Sequence, residues 1–197
     1  MNPIYCKYSN DRDGKFQIKT TIATDENGNK SVYKYAGTPA AIPHIQRIYR
    51  HYQEMCESYE DTILTANRCE QGEDYVRLEF VEGNTLEDYL DELYLEGKYL
   101  ELIEKIKEYR DILYGLKDNI PFSYTTEFEN VFGKETNFVN CKSLKISNVD
   151  LIFGNILLND KWTVIDYEWT FDFPVPIDYI IYRSVYYYVH GSTKRDA

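Results

Sequence analysis

Apolar and polar positions alternate through the first third of the chain. This period of two predicts strands over 4–9, 16–23 and 31–36, separated by the polar turns Ser9-Asn-Asp-Arg-Asp-Gly14 and Asp25-Glu-Asn-Gly-Asn29. The period then lengthens. Ile45, Ile48, Tyr49, Tyr52, Met55, Cys56 and Tyr59 recur at helical spacing and predict one amphipathic helix over 43–59. Two further strands, over 62–68 and 75–81, bracket the turn at Gln71-Gly-Glu, so the order is β-β-β-α-β-β. Beyond Val81-Glu-Gly83 the pattern becomes helical. Asn84 or Thr85 can cap, Glu87 or Asp88 can return the bond, and helices are predicted over 86–95 and 100–116, split at Glu96-Gly97. Gly83 is therefore the expected boundary between a β-rich lobe, 1–83, and a mainly helical lobe, 84–197. Residues 119–142, with Pro121, Gly133 and several Asn and Thr, read as an irregular insert around Phe128 and Phe132. Ile156, Leu157 and Leu158 predict a strand, Asn159-Asp160 a turn, and 162–165 the return strand. The tyrosine-rich run 179–189 predicts a half-buried terminal helix.

Charge narrows the range of partners. A formal net charge of −11 disfavours nucleic acid and anionic membranes, both of which demand a basic surface. An anionic nucleotide would have to be held by a few local cations and a metal ion. Cys6, Cys56, Cys69 and Cys141 are scattered without a C-x-x-C pair and read as reduced, mostly buried thiols, which suits a cytoplasmic location. The start lacks a basic segment followed by an apolar core, and no apolar run reaches membrane-spanning length, so neither export nor membrane insertion is expected.

The predicted hairpin concentrates the chemistry. Asn155 precedes its first strand and Asp166 follows its second, so both leave the same end, and an amide oxygen with a carboxylate forms a hard-ligand pair for Mg²⁺. Asp150, five residues before Asn155, is spaced to stand beside such a metal and accept a proton from an attacking hydroxyl. Asp150-x-x-x-x-Asn155, the apolar strand pair, Ile-Asp166-Tyr-Glu and Asp178 in Pro-Ile-Asp-Tyr together resemble the catalytic segment of protein-kinase-like phosphotransferases. The likeness is closer to choline kinases and aminoglycoside phosphotransferases than to protein kinases. The block from Asp150 to Arg183 is most similar to kinase-like domains of bacterial cell-surface polysaccharide proteins.

The resemblance implies an α+β, bilobal protein-kinase-like fold of reduced size, with an antiparallel β N-lobe for nucleotide and a helical C-lobe carrying the catalytic hairpin, 150–169. It implies Mg²⁺ on Asn155 and Asp166, ATP as co-substrate, Asp150 as catalytic base, and Lys34 on the α- and β-phosphates. Ser9 and Arg12 occupy the place of the phosphate-covering loop, and the backbone of Glu79 and Val81 that of the adenine-facing hinge. Among the candidates for the helix partner of Lys34, Glu54 is expected to face solvent, Glu57 to lie nearer the apolar stripe, and His44 is another. Asp178 corresponds to an aspartate that accepts hydrogen bonds from catalytic-segment backbone, or it caps the last helix. The implied acceptor is a sugar or the end of a surface glycan, for which Trp169 and Asp172 are candidate contacts. Glu168 is a candidate for a second metal site. An associated or fused methyltransferase or glycosyltransferase is the implied partner, and the chain is expected to be a piece of a larger polysaccharide-assembly protein. Departures from the pattern are Asn148 in place of a histidine, a single glycine in the phosphate loop, and a short C-lobe. They leave a second reading, a catalytically weak nucleotide-binding or scaffolding module.

Overall fold

The computed structural model describes residues 2–134, 140–191 and 195. Its architecture is α+β, in two compact units, Met1–Glu54 with Ala66–Glu82 and Met55–Thr65 with Gly83–Ala197.

In the first unit, β1 (Asn2–Tyr8), β2 (Ile18–Thr24) and β3 (Lys30–Ala36) form the predicted antiparallel meander, followed by α1 (Ile42–Ser58), of which the last turn belongs to the second unit. Next along the chain come β4 (Leu64–Ala66), whose first two residues belong to the second unit, and then β5 (Cys69–Gln71) and β6 (Tyr75–Glu79) of the first. The sheet has five strands in the order β1-β2-β3-β6-β5, all antiparallel. The predicted hairpin of 62–68 with 75–81 is corrected here. The partner of β6 is the short β5, joined by the turn that Gly72 closes onto Tyr75 O at 2.8 Å, whereas β4 leaves for another sheet. Asn67 makes the break, because its Nδ2 donates 2.8 Å to Glu79 O and ties the chain at that point to the end of β6.

The second unit opens with α2 (Leu86–Leu95), whose N-terminus is a full capping box. Asp88 N donates to Thr85 Oγ1 at 3.0 Å and Thr85 N to Asp88 Oδ2 at 2.9 Å, which satisfies two of the otherwise orphaned amides. There follow α3 (Tyr99–Tyr114), β7 (Asn119–Pro121), α4 (Thr126–Phe132), β8 (Lys142–Leu144), β9 (Ser147–Asn148), β10 (Ile156–Leu158), β11 (Trp162–Val164), β12 (Thr170–Phe171), β13 (Val175–Pro176) and α5 (Ile177–His190). The expected irregular insert over 119–142 is in part ordered, and 135–139 lie outside the described residues. Its aromatic residues explain the order. Phe128 is buried with Val149, Phe173 and Val175, and Phe132 stands 4.9 Å from the Phe128 ring and 5.2 Å from that of Tyr179. Rings of this size contribute on the order of 2–3 kcal/mol each when buried, enough to dock a segment with little regular structure.

The hairpin pairs Leu158 with Trp162, so its loop is three residues, 159–161, and not the predicted two. β11 also borders β4, and Leu158 N donates to Asn84 O at 2.9 Å, so the hairpin is clamped on both sides within its unit. All four cysteines are free thiols, but only Cys69 is buried while Cys6 and Cys56 are exposed, which corrects the expectation of a mostly buried set. Among the described residues no helix is long and apolar enough to cross a membrane.

Gly83 has φ +155°, and a Cβ built on it would stand 2.8 Å from Asn159 Oδ1 in the hairpin loop. Gly83→Ala should therefore cost roughly 1–3 kcal/mol in urea unfolding. Adding Asn159→Gly should recover the clash but not the backbone part. Full recovery in the double variant would mean that the backbone conformation carries no cost.

Candidate active site

The open end of the hairpin is closed by a backbone bond. Ile165 N donates 2.9 Å to Asn155 O, so Asn155 and Asp166 stand just outside a completed ladder, at the same end of it. A tight turn over 153–155, with Asn155 N bonded 2.9 Å to Ile152 O, aims the asparagine. Its Nδ2 donates 2.9 Å to Asp150 O, which leaves Oδ1 as the atom available to a ligand. Asp166 is exposed and has φ +53°, left-handed backbone that a non-glycine residue adopts at a cost of roughly 1–2 kcal/mol.

Asp150 sits where the surrounding backbone is almost fully engaged. Asn148 Oδ1 accepts from Asp150 N at 2.9 Å, and Val149 N donates to Trp169 O at 3.0 Å. Arg183 Nε donates to Val149 O at 2.8 Å. The Tyr109 hydroxyl donates to Leu151 O at 2.6 Å, with Ser184 Oγ 3.0 Å from the same carbonyl. Asn148 thus does a backbone-fixing job in the position of the expected histidine, while its Nδ2, buried, has no hydrogen-bond partner among the described residues. The carboxylate of Asp150 is 13% exposed, and Arg183 Nη2 reaches its Oδ1 at 3.3 Å. Burial pushes its pKa up to about 6, the charge of Asp166 adds to that, and Arg183 opposes it.

Among the described residues no three His, Cys, Asp or Glu side chains are gathered as a metal cage. Asn155 and Asp166 flank the same end of the hairpin, and an amide oxygen with a carboxylate is the hard-oxygen chemistry that could serve Mg²⁺ retaining waters and phosphate oxygens. Glu168 is buried, and Asp172 is exposed.

The first unit holds the other candidates. Lys34 is 5% exposed, on the sheet face opposite the stacked rings of Tyr33 and Tyr35, and its cross-strand partner Val76 is fully buried. Half-buried Val32, two residues earlier, shares the face of Lys34, and half-buried Ile22 is its cross-strand partner. Ser9 does not present a free donor, because its hydroxyl donates to Ile18 O at 3.2 Å and accepts from Ile18 N at 2.8 Å. Its role is to close the first hairpin. Arg12, half-buried in the same loop, has its carbonyl held by Gln17 Nε2 at 2.9 Å. Glu79 is also engaged, its N bonded to Arg68 O and its O to Asn67 Nδ2, both at 2.8 Å. Val81, half-buried just past β6, has no hydrogen bond on its backbone among the described residues. The expected order of the two acids on α1 is reversed. Glu57 is exposed, whereas Glu54 is half-buried and has one carboxylate oxygen sealed from solvent with no hydrogen-bond partner among the described residues. His44 is buried against the Phe16 ring, 5.2 Å between centroids.

Asp178 does not hold the catalytic segment. It is exposed in the first turn of α5 and accepts from the Tyr114 hydroxyl at 2.6 Å. Donors from Arg183, Ser184 and Tyr109 do the holding instead. The sequence marks Arg183 only as the one charge inside the run Tyr179-Ile-Ile-Tyr-Arg-Ser-Val-Tyr-Tyr-Tyr, and its partners lie too far along the chain for spacing to reveal them.

No protein-family model matches the sequence, and no curated protein does. Solved structures similar to the chain include a macrolide 2'-phosphotransferase type I, at 11% identity and TM-score 0.48, covering 96% of this chain and 72% of that one. The macrolide 2'-phosphotransferase MphH from Brachybacterium faecium, in its apoenzyme form, aligns at 8% identity and TM-score 0.45 over 89% of this chain and 73% of its own. The streptomycin-ATP-APH(2")-IIa ternary complex aligns at 13% identity and TM-score 0.45 over 97% and 81%.

Two outcomes follow from the local geometry. Ser9→Ala should lower stability by about 1–2 kcal/mol in denaturant unfolding, because Ile18 N is left unpaired, yet leave nucleotide affinity unchanged. Loss of affinity without loss of stability would restore Ser9 as a ligand. For Asp150, the folded carboxyl holds its proton more tightly than the unfolded one, about 6 against 3.8. Stability is therefore full below about pH 4 and falls as pH rises through 6, where the buried charge must form. Asp150→Asn should melt above the parent at pH 8, by up to about 3 kcal/mol, with the gain vanishing below pH 4. A difference that does not change with pH would show an ordinary carboxylate.

Proposed function

We propose that the chain is an ATP- and Mg²⁺-dependent phosphotransferase acting on a hydroxyl of a small acceptor, a sugar or the end of a surface glycan. The observation that carries this reading is the junction of Asp150, Asn155 and Asp166: a buried carboxylate of raised pKa, bonded through its own carbonyl to an asparagine whose oxygen is left over, with a second carboxylate held in left-handed backbone at the same hairpin end. A fold that needed only packing has no use for all three.

In this reading Asp150 accepts the proton of the acceptor hydroxyl as that oxygen bonds to the γ-phosphorus. The bond from phosphorus to the β-phosphate oxygen breaks, and ADP leaves. Asn155 and Asp166 would hold a magnesium ion, which when bound neutralises charge on the β- and γ-phosphates. Lys34 offsets charge on the α- and β-phosphates. The free backbone of Val81 meets the adenine edge, while Val32 and Ile22 supply the apolar surface beneath the ring. Glu79 and Ser9 drop out of the nucleotide set because their groups are engaged elsewhere, and Arg12 remains the candidate in the phosphate loop. The acceptor class, the cytoplasmic location and a methyltransferase or glycosyltransferase partner rest on the sequence resemblance.

The unpartnered Asn148 amide and the engaged Ser9 favour a second reading, a binding or scaffolding module that holds nucleotide without turnover. ADP release separates the two. With Mg-ATP and D-mannose, D-glucose and D-galactose as acceptors, the parent should release ADP in an acceptor-dependent manner, and Asp150→Asn should cut this by about a hundredfold or more at unchanged ATP affinity. Asp166→Asn should instead abolish the Mg²⁺-dependent rise in melting temperature with ATP. A parent that binds Mg-ATP but transfers to no hydroxyl would establish the second reading, and Mg-ATP binding unaltered in Asp166→Asn would remove the metal assignment.

A further inference from the structure

Helix α5 brings one cation to the proposed base. Arg183 Nε is anchored on Val149 O at 2.8 Å, and the guanidinium lies over the ring of Tyr187, one turn along the same helix, at 4.7 Å. Backbone and ring together fix the plane of the fork. From that anchored position Nη2 meets Asp150 Oδ1 at 3.3 Å, a longer bond than the one to the carbonyl. Asp150 Oδ2 has no hydrogen bond among the described residues. The two oxygens of the carboxylate are thus unequal: one is tied to a fixed donor and the other is left open.

We propose that Arg183 is a positioning residue, which holds Oδ1 of Asp150 so that Oδ2 is turned to the acceptor hydroxyl. The inference rests on reading Asp150 as the base. A merely structural tie would need only the bond to Val149 O, as the Tyr109 hydroxyl supplies at Leu151 O without reaching the carboxylate. Arg183 goes further, since a rigid fork can serve a carbonyl and a carboxylate together, which a lysine ammonium on a flexible stem does less well. Freed of Nη2, the Asp150 side chain has its own χ torsions to explore, and the fraction of time that Oδ2 spends in line with the acceptor falls.

The test compares Arg183→Ala, Arg183→Lys and the parent. Both variants should bind Mg-ATP as the parent does. Acceptor-dependent ADP release with D-mannose, D-glucose and D-galactose should fall about tenfold to a hundredfold in kcat, with a smaller change in acceptor KM. Guanidinium chloride at low millimolar concentration should restore part of the rate in Arg183→Ala and none in Asp150→Asn. Crystal structures of the variants should show the Asp150 carboxylate rotated from its orientation in the parent. Should the alanine variant fail to fold, the lysine variant carries the same comparison. Parent-like kcat, or an unmoved Asp150 carboxylate, would overturn the proposal. If the parent itself transfers phosphate to none of the sugars, the function reading fails on its own, and the carboxylate orientation in the Arg183 variants still decides the role of Arg183.

Discussion

The hydrogen bond from Asn155 Nδ2 to Asp150 O, 2.9 Å long, ties the candidate site together. It fixes the five-residue segment between them and decides which atom of the carboxamide points away. It also couples the orientation of one candidate ligand to the backbone of the candidate base. The hairpin can then be clamped by Asn84 and by β4, because its open end is already closed through Asn155 O and Ile165 N. Around this bond the chain satisfies nearly every backbone polar group from 148 to 151 with a side chain or a neighbouring strand, an arrangement that a buried segment of irregular backbone must achieve to exist at all.

Local patterns foretold the elements, and tertiary choices escaped them. The alternating strands β1 to β3 and the helical stripe of α1 stand where periodicity put them. The run 62–68 read as one strand because its composition favours extended backbone. Asn67 divides it, however, sending Leu64 and Thr65 to the hairpin sheet and Cys69 to β6. No period reports such a division. The helical wheel misjudged Glu54 because the buried face of α1 also holds His44, His51 and Ser58, which a count of apolar residues leaves out. The hairpin junction of Asn155 and Asp166 was within reach of the sequence, since spacing alone sets which end of a short hairpin a residue leaves. The role of Arg183 was not, because its two contacts lie 33 and 34 residues away along the chain.

Polarity distinguishes the way α5 supports the proposed site. The resemblance led us to expect a carboxylate on this helix accepting bonds from amides of the catalytic segment. Asp178 accepts instead from Tyr114, and the helix contributes donors, Arg183 and Ser184, to carbonyls on either side of Asp150. Donors beside a buried carboxylate ease its ionisation, whereas acceptors would hinder it. The same helix that packs Ile177 and Ile180 into the core therefore also tempers the charge it buries.

The left-handed backbone of Asp166 bears on how such a chain could lose its chemistry. Glycine adopts φ near +53° without penalty, and asparagine with little, so the fold would be relaxed by the simplest exchanges at this position. A change to glycine would relieve the backbone while deleting the carboxylate and whatever that side chain holds. What the backbone favours and what the side chain does are therefore opposed at this one position.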